Sequence, residues 1–266
     1  MTGKPYRIPG AGRLIDRAKP LSFSFDGRRF SGYAGDTLAS ALLANGQRLI
    51  GRSFKYHRPR GLVGLGSEEM NGLVGVGEGA RHEPNLRATQ VELHDGLVAV
   101  SQNRWPSLDF DVGALNNRLS RLFPGGFYYK TFMWPQALWK SLYEPIIRRA
   151  AGLGHAPTGR DPDTYEQVHV HCDVLVVGGG AAGIAAAEAA AATGARVILA
   201  DENPRFGGLA DISGGTVGGD AADAWAAATA QKLAAADNVH LLSRTTAVGH
   251  FHHGYALLFE RVAEHD

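Results

Sequence analysis

The sequence predicts two folded parts of different class, an α+β domain followed by an α/β domain. In the first third of the chain, Asp-Gly pairs stand between runs of alternating apolar residues, which is typical of hairpins. From Cys172 onward, apolar strand patterns alternate with alanine-rich helical patterns, which indicates a parallel sheet. We therefore expect an α+β domain at residues 18–105, a connector at 106–168 and an α/β domain at 170–266.

The first domain is predicted to open with a strand, a turn, a second strand and a helix. Asp36-Thr37 offers a carboxylate or a hydroxyl at the N-cap of the helix, leucines follow at helical spacing, and Gly46 stands where a C-cap is expected. This order suits a β-grasp fold, in which a mixed sheet wraps one helix. The predicted hairpins pair 21–25 with 28–33 around Asp26-Gly27, and 90–94 with 97–101 around Asp95-Gly96.

The connector is rich in aromatic residues from 123 to 143 and turns to Gly, Pro, Asp and Thr from 152 to 167, which is typical of a linker. Trp and Tyr are frequent at membrane interfaces and also at protein interfaces. Because no apolar span accompanies the aromatic stretch, we interpret it as a surface that packs against the sheet or a partner subunit.

In the α/β domain, a strand at 173–177 runs into a glycine-rich turn, and a helix follows to Ala192 with Gly194 at its end. The next strand spans 196–200 and stops at Asp201. Further on, we predict a helix at 221–236, a strand at 239–242 and an antiparallel pair at 245–251 and 255–262. Three parallel strands leave an exposed sheet edge, so we expect a fragment of a longer chain.

Three glycines, Gly178, Gly180 and Gly183, lie at the turn between the strand and the helix. In this context Gly178 permits a tight turn, Gly180 lets the backbone approach a pyrophosphate, and Gly183 lets the helix pack closely on the strand. The helix N-terminus offers unpaired N–H groups and a positive dipole end to phosphates. The unit therefore predicts a Rossmann-type site for a dinucleotide.

A carboxylate at the end of the second strand completes that site. Asp201 can accept hydrogen bonds from the adenosine ribose and disfavours a 2′-phosphate, so NAD or FAD is expected rather than NADP. Glu202 is the alternative ribose acid, although the strand register favours Asp201. A Gly-Gly pair follows, as in flavoprotein disulfide-reductase-like folds. The predicted cofactor-binding residues are Gly178, Gly179, Gly180, Ala181, Ala182, Gly183, Asp201, Glu202, Arg205, Gly207 and Gly208.

Composition excludes several classes of protein. The formal net charge is +1, whereas a general nucleic-acid binder normally has a strong basic excess. Cys172 is the single cysteine, so neither an internal disulfide nor an all-cysteine metal or iron–sulfur site can form, and we expect a cytoplasmic protein. No apolar run is long enough to span a bilayer, and the N-terminus lacks the pattern of a secretory signal.

Three side-chain clusters have both a functional and a structural interpretation. The basic segment 48–60 could contact a phosphate such as that of FMN, or form the solvated or partner-facing loop that we favour. The histidines at 169 and 171 beside Cys172, and those at 250–253, lack further ligands at metal-site spacing. Cys172 is expected to be a buried structural thiol, because no activating base lies nearby in sequence. We assign no catalytic residue.

Four segments resemble the N-terminal part of the large, alpha subunits of heterotetrameric sarcosine oxidases, and the resemblance extends over nearly all 266 residues. The glycine motif is shared by many flavoproteins, whereas the two middle segments are specific to this family. The segments are 53–61 (SFKYHRPRG), 126–135 (GFYYKTFMWP), 143–154 (YEPIIRRAAGLG) and 172–183 (CDVLVVGGGAAG).

The resemblance implies a ferredoxin-like β-grasp fold for the first domain. Relatives among amine or opine dehydrogenase and cyanide synthase subunits hold a [2Fe–2S] cluster there through a C-x4-C-x2-C run. In this sequence the three positions are Gly64, Glu69 and Gly72, and none is a thiolate. We therefore expect a structural or interface module that keeps the fold without the cluster, which favours the oxidase over its cluster-bearing relatives.

The resemblance also implies cofactors and partners. In the family the alpha subunit resembles an NAD-binding protein, a noncovalent FAD lies in the beta subunit and a covalent FMN lies at the alpha–beta interface. Gamma and delta subunits complete the complex, sarcosine is demethylated in beta, and a folate-accepting domain lies in the C-terminal half of alpha. We accordingly favour NAD in the dinucleotide site, with FAD as the alternative, and expect the isolated chain to be inactive.

Two other functions stay open at this point. The chain could be a subunit of another amine, opine or imino-acid dehydrogenase. It could also be a non-catalytic scaffold that binds a dinucleotide for stability alone.

Overall fold

A computed structural model shows two compact units, Met1–Thr164 and Tyr165–Asp266. The connector bounds at 106 and 168 stay predictions. Residues 123–125 and 127–133 of the aromatic stretch lie outside the described residues. Among the residues that are described, no helix combines the length and apolar character needed to cross a bilayer. The described residues are 6–122, 126, 134–151, 154–212 and 214–262.

The first unit is built on a mixed sheet and one short helix. Its strands are β1 (Asp16–Phe25), β2 (Arg28–Ala34), β3 (Gly51–Arg52), β4 (Pro59–Arg60), β5 (Leu73–Val76), β6 (Glu83–Arg87) and β7 (Val98–Ser101). Its α-helices are α1 (Leu38–Ala44), α2 (Leu115–Arg118) and α3 (Glu144–Ala151). Short 3-10 turns span Gly79–Arg81, Val112–Ala114, Ser120–Leu122 and Gln136–Leu138, and a π-helical turn spans Trp139–Tyr143.

Five of these strands form one sheet in the order β2-β1-β7-β5-β6. β1 is antiparallel to β2 and parallel to β7, and β7 is antiparallel to β5. This mixed order is that of a β-grasp sheet, as predicted. The core lies between the sheet and α1, where Phe23 and Phe25 of β1 pack with Leu38, Ala41 and Leu42 of the helix.

The first hairpin and the cap of α1 form as predicted. Asp26 and Gly27 have φ values of 49° and 74°, and positive φ at both turn residues is what a type I′ hairpin requires. The Thr37 hydroxyl accepts from the Ser40 backbone N–H, and the Ser40 hydroxyl accepts from the Thr37 N–H. This reciprocal pair satisfies two donors that the helix itself leaves unpaired.

The second predicted hairpin is wrong. Asp95-Gly96 is a turn, but residues 90–94 form no strand. That segment follows the start of α1 instead, where the Leu38 N–H donates to the Val91 carbonyl at 2.9 Å. β7, after the turn, pairs with β1 and β5. A tertiary pairing partner therefore outweighs the local turn signal.

The second unit contains a parallel sheet, two helices and a separate hairpin. Its strands are β8 (Val174–Val177), β9 (Val197–Ala200), β10 (Thr216–Val217), β11 (Asp220–Ala221), β12 (Val239–Leu242), β13 (Thr245–His250) and β14 (Ala256–Glu260). Its α-helices are α4 (Ala181–Ala191) and α5 (Ala222–Ala234), and 3-10 turns span Gly208–Asp211 and His252–Gly254.

β8, β9 and β12 form a parallel sheet and β13 is antiparallel to β14, both as predicted. The order of the parallel sheet is β12-β9-β8. β9 is buried along its whole length, which suits a central strand with helices against it. Ile184 and Ala187 of α4 and Ala226 and Leu233 of α5 pack into this core. The C-cap of α4 is Ala192, and Gly194, predicted to close the helix, follows two residues later with a φ of 83°.

Candidate dinucleotide-binding site

The glycine-rich turn connects β8 to α4. Gly178 has a φ of 100°, a conformation that side-chain-bearing residues rarely adopt. A Cβ at Gly183 would overlap the carbonyl oxygen of Gly178, so the helix lies directly against the turn. Gly180 is the N-cap of α4 without a side-chain hydrogen bond, and nothing lies within 4 Å of the place where its Cβ would be. The turn is therefore close-packed on its strand side and open at the helix N-terminus.

Asp201, at the end of β9, is bonded to this turn. Its Oδ2 accepts from the Gly179 N–H at 2.5 Å. Its Oδ1 accepts from the Asn203 backbone N–H at 2.7 Å and from Asn203 Nδ2 at 2.9 Å. The residue is 7% exposed. Because a carboxylate oxygen accepts two hydrogen bonds, the described residues saturate Oδ1 and leave one lone pair on Oδ2.

The predicted Gly-Gly pair is also brought to the turn. The Gly207 N–H donates to the Gly179 carbonyl at 2.8 Å, and Gly180 and Gly207 form a parallel bridge. A Cβ at Gly208 would lie 3.2 Å from the Gly180 Cα, so this second loop needs a small residue where it touches the first. Two loops distant in sequence thus form one surface.

Not every predicted site residue joins that surface in the same way. Ala181 and Ala182 form the first turn of α4. Arg205 donates from its guanidinium to Asp211 Oδ2 at 3.1 Å, with half of its side chain exposed. Glu202 is half-buried and, unlike Asp201, does not bond to the glycine turn. The geometry thus distinguishes the two acids, but it does not test which one binds a ribose.

Sequence reasoning missed two residues that shape the site. Asn203 donates twice to Asp201 and so orients its carboxylate. The ring of Phe206 occupies the place of a Cβ on Gly179, which explains why a glycine also stands between Gly178 and Gly180. Asp-x-Asn followed by Pro204 is a turn signature that predicts the Asn203 contact. No pattern in the sequence points to the Phe206 contact.

The described histidine and cysteine clusters do not form a metal site. Residues 154–172 carry no helix or strand. Within the described ranges, no group of three or more His, Cys, Asp or Glu side chains is placed to hold a metal ion. Cys172 is half-buried rather than buried, because it lies in this extended segment just before the outer strand β8.

Most side chains of the basic segment contact residues of their own unit. Arg52 donates to the Leu108 carbonyl at 2.7 Å, and Arg58 donates to Asn117 Oδ1 at 2.8 Å. His57 Nδ1 lies 2.7 Å from Asp111 Oδ2. These contacts join the segment to the loops that follow β7, which is what a structural role requires.

Glu69, at the second of the three cluster-ligand positions, is 1% exposed. Burial raises the pKa of its carboxyl, but four backbone N–H donors together lower the pKa below its ordinary value. Glu69 Oε2 accepts from Val63 and Gly64, each at 2.7 Å, and Oε1 accepts from Asn71 at 2.6 Å and Gly72 at 3.0 Å.

The residues at these positions do not fit an iron–sulfur cluster. A Cβ at Gly64 would lie 2.9 Å from the Glu69 nitrogen, and one at Gly72 would lie 2.5 Å from Leu62 Cδ2. The space between the three positions is taken by the Glu69 side chain and its donors. No thiolate is available here either, because the single cysteine lies at 172.

Both halves of the chain match known domain families. Residues 18–104 match the 2Fe-2S iron–sulfur cluster binding domain, and residues 173–259 match the FAD binding domain. The crystal structure of L-proline dehydrogenase from P. horikoshii superposes with a TM-score of 0.55 at 20% sequence identity, over 92% of this chain and 38% of that one. That likeness shows a shared fold.

Curated relatives match the chain over almost its whole length. The sarcosine oxidase subunit alpha of Rhizobium meliloti (strain 1021) is 56% identical over 98% of this chain, which spans 26% of that protein. The corresponding subunits of Corynebacterium sp. strains U-96 and P-1 are 36% and 37% identical, also over 98% of this chain and 23% of theirs. The chain is homologous to an N-terminal part of the sarcosine oxidase alpha subunits.

Proposed function

We propose that the chain is the nucleotide-binding part of the alpha subunit of a multi-subunit sarcosine oxidase, an enzyme for the oxidative demethylation of sarcosine. The observation that carries this proposal is 56% identity to a sarcosine oxidase alpha subunit over 98% of the chain, covering both units. Beta, gamma and delta subunits are the proposed partners, and folate is the proposed acceptor in the whole complex.

The proposed ligand of this chain is the adenosine diphosphate half of a dinucleotide. Three features fit it: the open space at Gly180, the helix N-terminus without a side-chain cap, and the remaining lone pair on Asp201 Oδ2. Gly178–Gly183 and the pair Gly207-Gly208 would hold the phosphates, and Asp201 would bind the ribose. The bound nicotinamide or isoalloxazine ring would supply hydride acceptance.

The matched domain family favours FAD in this site, whereas NAD is the prediction drawn from the resemblance. Both cofactors present the same adenosine diphosphate to the glycine turn. A covalent FMN at the alpha–beta interface and a noncovalent FAD in beta remain part of the proposal. The first domain serves in it as a module without a cluster.

Purification of the native complex tests the proposed enzyme. We expect the chain to copurify with a flavin-bearing beta subunit, and the complex to form hydrogen peroxide when sarcosine is added. A complex that is inert toward sarcosine but oxidises another amine, opine or imino acid would assign the chain to a dehydrogenase relative instead.

Chromatography of the nucleotides released on denaturation tests the cofactor of this chain. We expect one NAD or FAD per alpha chain beyond the flavins of beta, and its loss in Gly180→Val. If turnover of Gly180→Val complexes equals that of the wild type while the nucleotide is absent, the site has a scaffold role only. A wild-type chain without any dinucleotide would refute the site.

A further inference from the structure

Glu69 is a buried carboxylate with an uncommon set of partners. Glutamate is almost never fully buried unless it is paired, because taking the charge out of water is costly. Here the partners are not cations but four backbone N–H groups within 3.0 Å. The charged group beside it is another acid, Glu68, whose Oε1 accepts from the backbone N–H groups of Leu65 and Gly66.

The four donors come from both ends of one loop. Val63 and Gly64 precede Glu69 by five or six residues, and Asn71 and Gly72 follow it by two or three. The carboxylate therefore ties the two ends of segment 63–72, here called the Glu69 loop, around itself. Backbone N–H groups that converge in this way form a concave anion-binding site.

In the matched domain family this position belongs to an iron–sulfur cluster, which is itself an anion held by thiolates and by hydrogen bonds to its sulfurs. Glu69 stands at the second ligand position, and Gly64 and Gly72, at the other two, both donate to it. At Gly64 a side chain would crowd the loop itself, since a Cβ there would lie 2.9 Å from the backbone nitrogen of Glu69.

We propose that the Glu69 loop is an anion site filled by the protein's own carboxylate, which takes the structural place of the cluster. Glu69 joins the two ends of the loop, while Glu68 and Thr89 hold its middle. The domain has no capacity to bind iron and sulfide. This role is independent of the dinucleotide site and of sarcosine. An experiment can therefore refute it without refuting the proposed function, and the reverse also holds.

Chemical rescue in the full chain, within its complex, tests the proposal. Glu69→Ala removes the carboxylate and opens a space of about its size between the four donors. We expect amide hydrogen exchange at residues 63–72 to accelerate about ten- to a hundredfold, the range for loss of a hydrogen bond to a charged group. Sodium formate, a free carboxylate, is expected to restore slow exchange at these amides. Sodium chloride of equal ionic strength serves as the salt control.

Two further variants keep the test decisive. In Glu69→Gln the amide fills the space, so amide exchange is expected to accelerate and formate is not expected to slow it. If Glu69→Ala does not fold, the exchange rates of Glu69→Gln test the proposal. Glu68→Ala should affect the amides of Leu65 and Gly66 and leave those of Asn71 and Gly72 protected. Unchanged exchange in both Glu69 variants would overturn the proposal.

Iron and sulfide analysis provides an independent readout. We expect wild-type protein purified without oxygen, and the same protein incubated with ferrous iron and sulfide, to contain no cluster and to lack visible iron–sulfur absorption. A stoichiometric cluster in the first domain would overturn the proposal regardless of the exchange data.

Discussion

Two glycine-rich loops of this chain, the Glu69 loop and the turn at Gly178–Gly183, are each organised around a carboxylate, with opposite results. Glu69 accepts four backbone hydrogen bonds from its own loop and fills the space between them. Asp201 accepts one from the turn, through Gly179, and leaves the N-terminus of α4 without a side-chain cap. Glu69 thus fills the space inside its loop, whereas Asp201 fixes the position of the glycine turn and leaves the turn open.

The difference shows that glycines in a loop do not by themselves identify a ligand site. In the Glu69 loop they make room for an internal side chain, and in the other turn they leave open space beside Gly180. What separates the two loops is whether a side chain already satisfies the backbone donors. Whether the backbone N–H groups of a loop already have acceptors within the protein is therefore a better guide to ligand binding than a glycine pattern.

The largest effect is expected from Gly183→Ala. Its methyl group would overlap the Gly178 carbonyl, so α4 must move away from β8, and we expect a destabilisation of about 3 kcal/mol or more together with loss of the nucleotide. Gly180→Ala is the matched control for stability without nucleotide, since its methyl meets nothing within 4 Å. Thermal unfolding of both variants checks this. Equal melting temperatures would contradict the close packing at Gly183.

Asp201→Asn should have the next largest effect. An amide has only one acceptor oxygen, which can face either Gly179 or Asn203. Its NH2 group would then face the other N–H donor. We expect a loss of about 1–3 kcal/mol in stability and about tenfold or more in nucleotide affinity. Glu202→Gln is the neighbouring control and should retain affinity. Calorimetric titration with NAD and FAD measures both variants, and a larger loss for Glu202→Gln would make Glu202 the ribose acid.

Acid should weaken the Glu69 loop. Because the pKa of the folded Glu69 carboxyl lies below its ordinary value of 4.5, its contribution to stability is complete above pH 4.5 and is lost as the pH falls through the lowered pKa. Hydrogen exchange at Asn71 and Gly72, measured over falling pH and corrected for intrinsic rates, should accelerate below pH 4.5 in the wild type. Glu69→Gln should show fast exchange throughout that range.

The smallest effect is expected from Asp173→Asn, on a carboxylate just before β8. Hydrogen bonds from Arg196 hold the pKa of Asp173 well below its ordinary range. Both side chains are about half exposed, however, so solvent screens the pair. We expect no measurable change in melting temperature or nucleotide affinity. A clear drop would mean that surface carboxylates contribute as much here as the two buried ones.

Much of the fold follows from local sequence rules. The turn at Asp26-Gly27, the cap at Thr37 and the close packing at Gly183 each depend on neighbours within a few residues, and all three agree with the structure. Residues 90–94 lie along the start of α1, and β7 after them pairs with β1 and β5, so there the local prediction is wrong.

The candidate sites likewise differ in how far the sequence predicts them. The glycine turn and Asp201 follow a spacing rule, so the sequence predicts them, and their role in binding stays a prediction. The role of Glu69 depends on four N–H groups converging in space, which no spacing rule describes. Its signal in the sequence is an acid at a ligand position flanked by glycines.

The closed Glu69 loop also bears on what such a domain would need in order to gain a cluster. A cysteine at position 64 would press against the Glu69 nitrogen, whereas one at position 72 would meet only the end of the Leu62 side chain, which can move. On the role proposed for Glu69, a cysteine at that position would remove the acceptor of four backbone N–H groups. The substitutions at 64 and 69 would thus each weaken the present loop before any iron could bind.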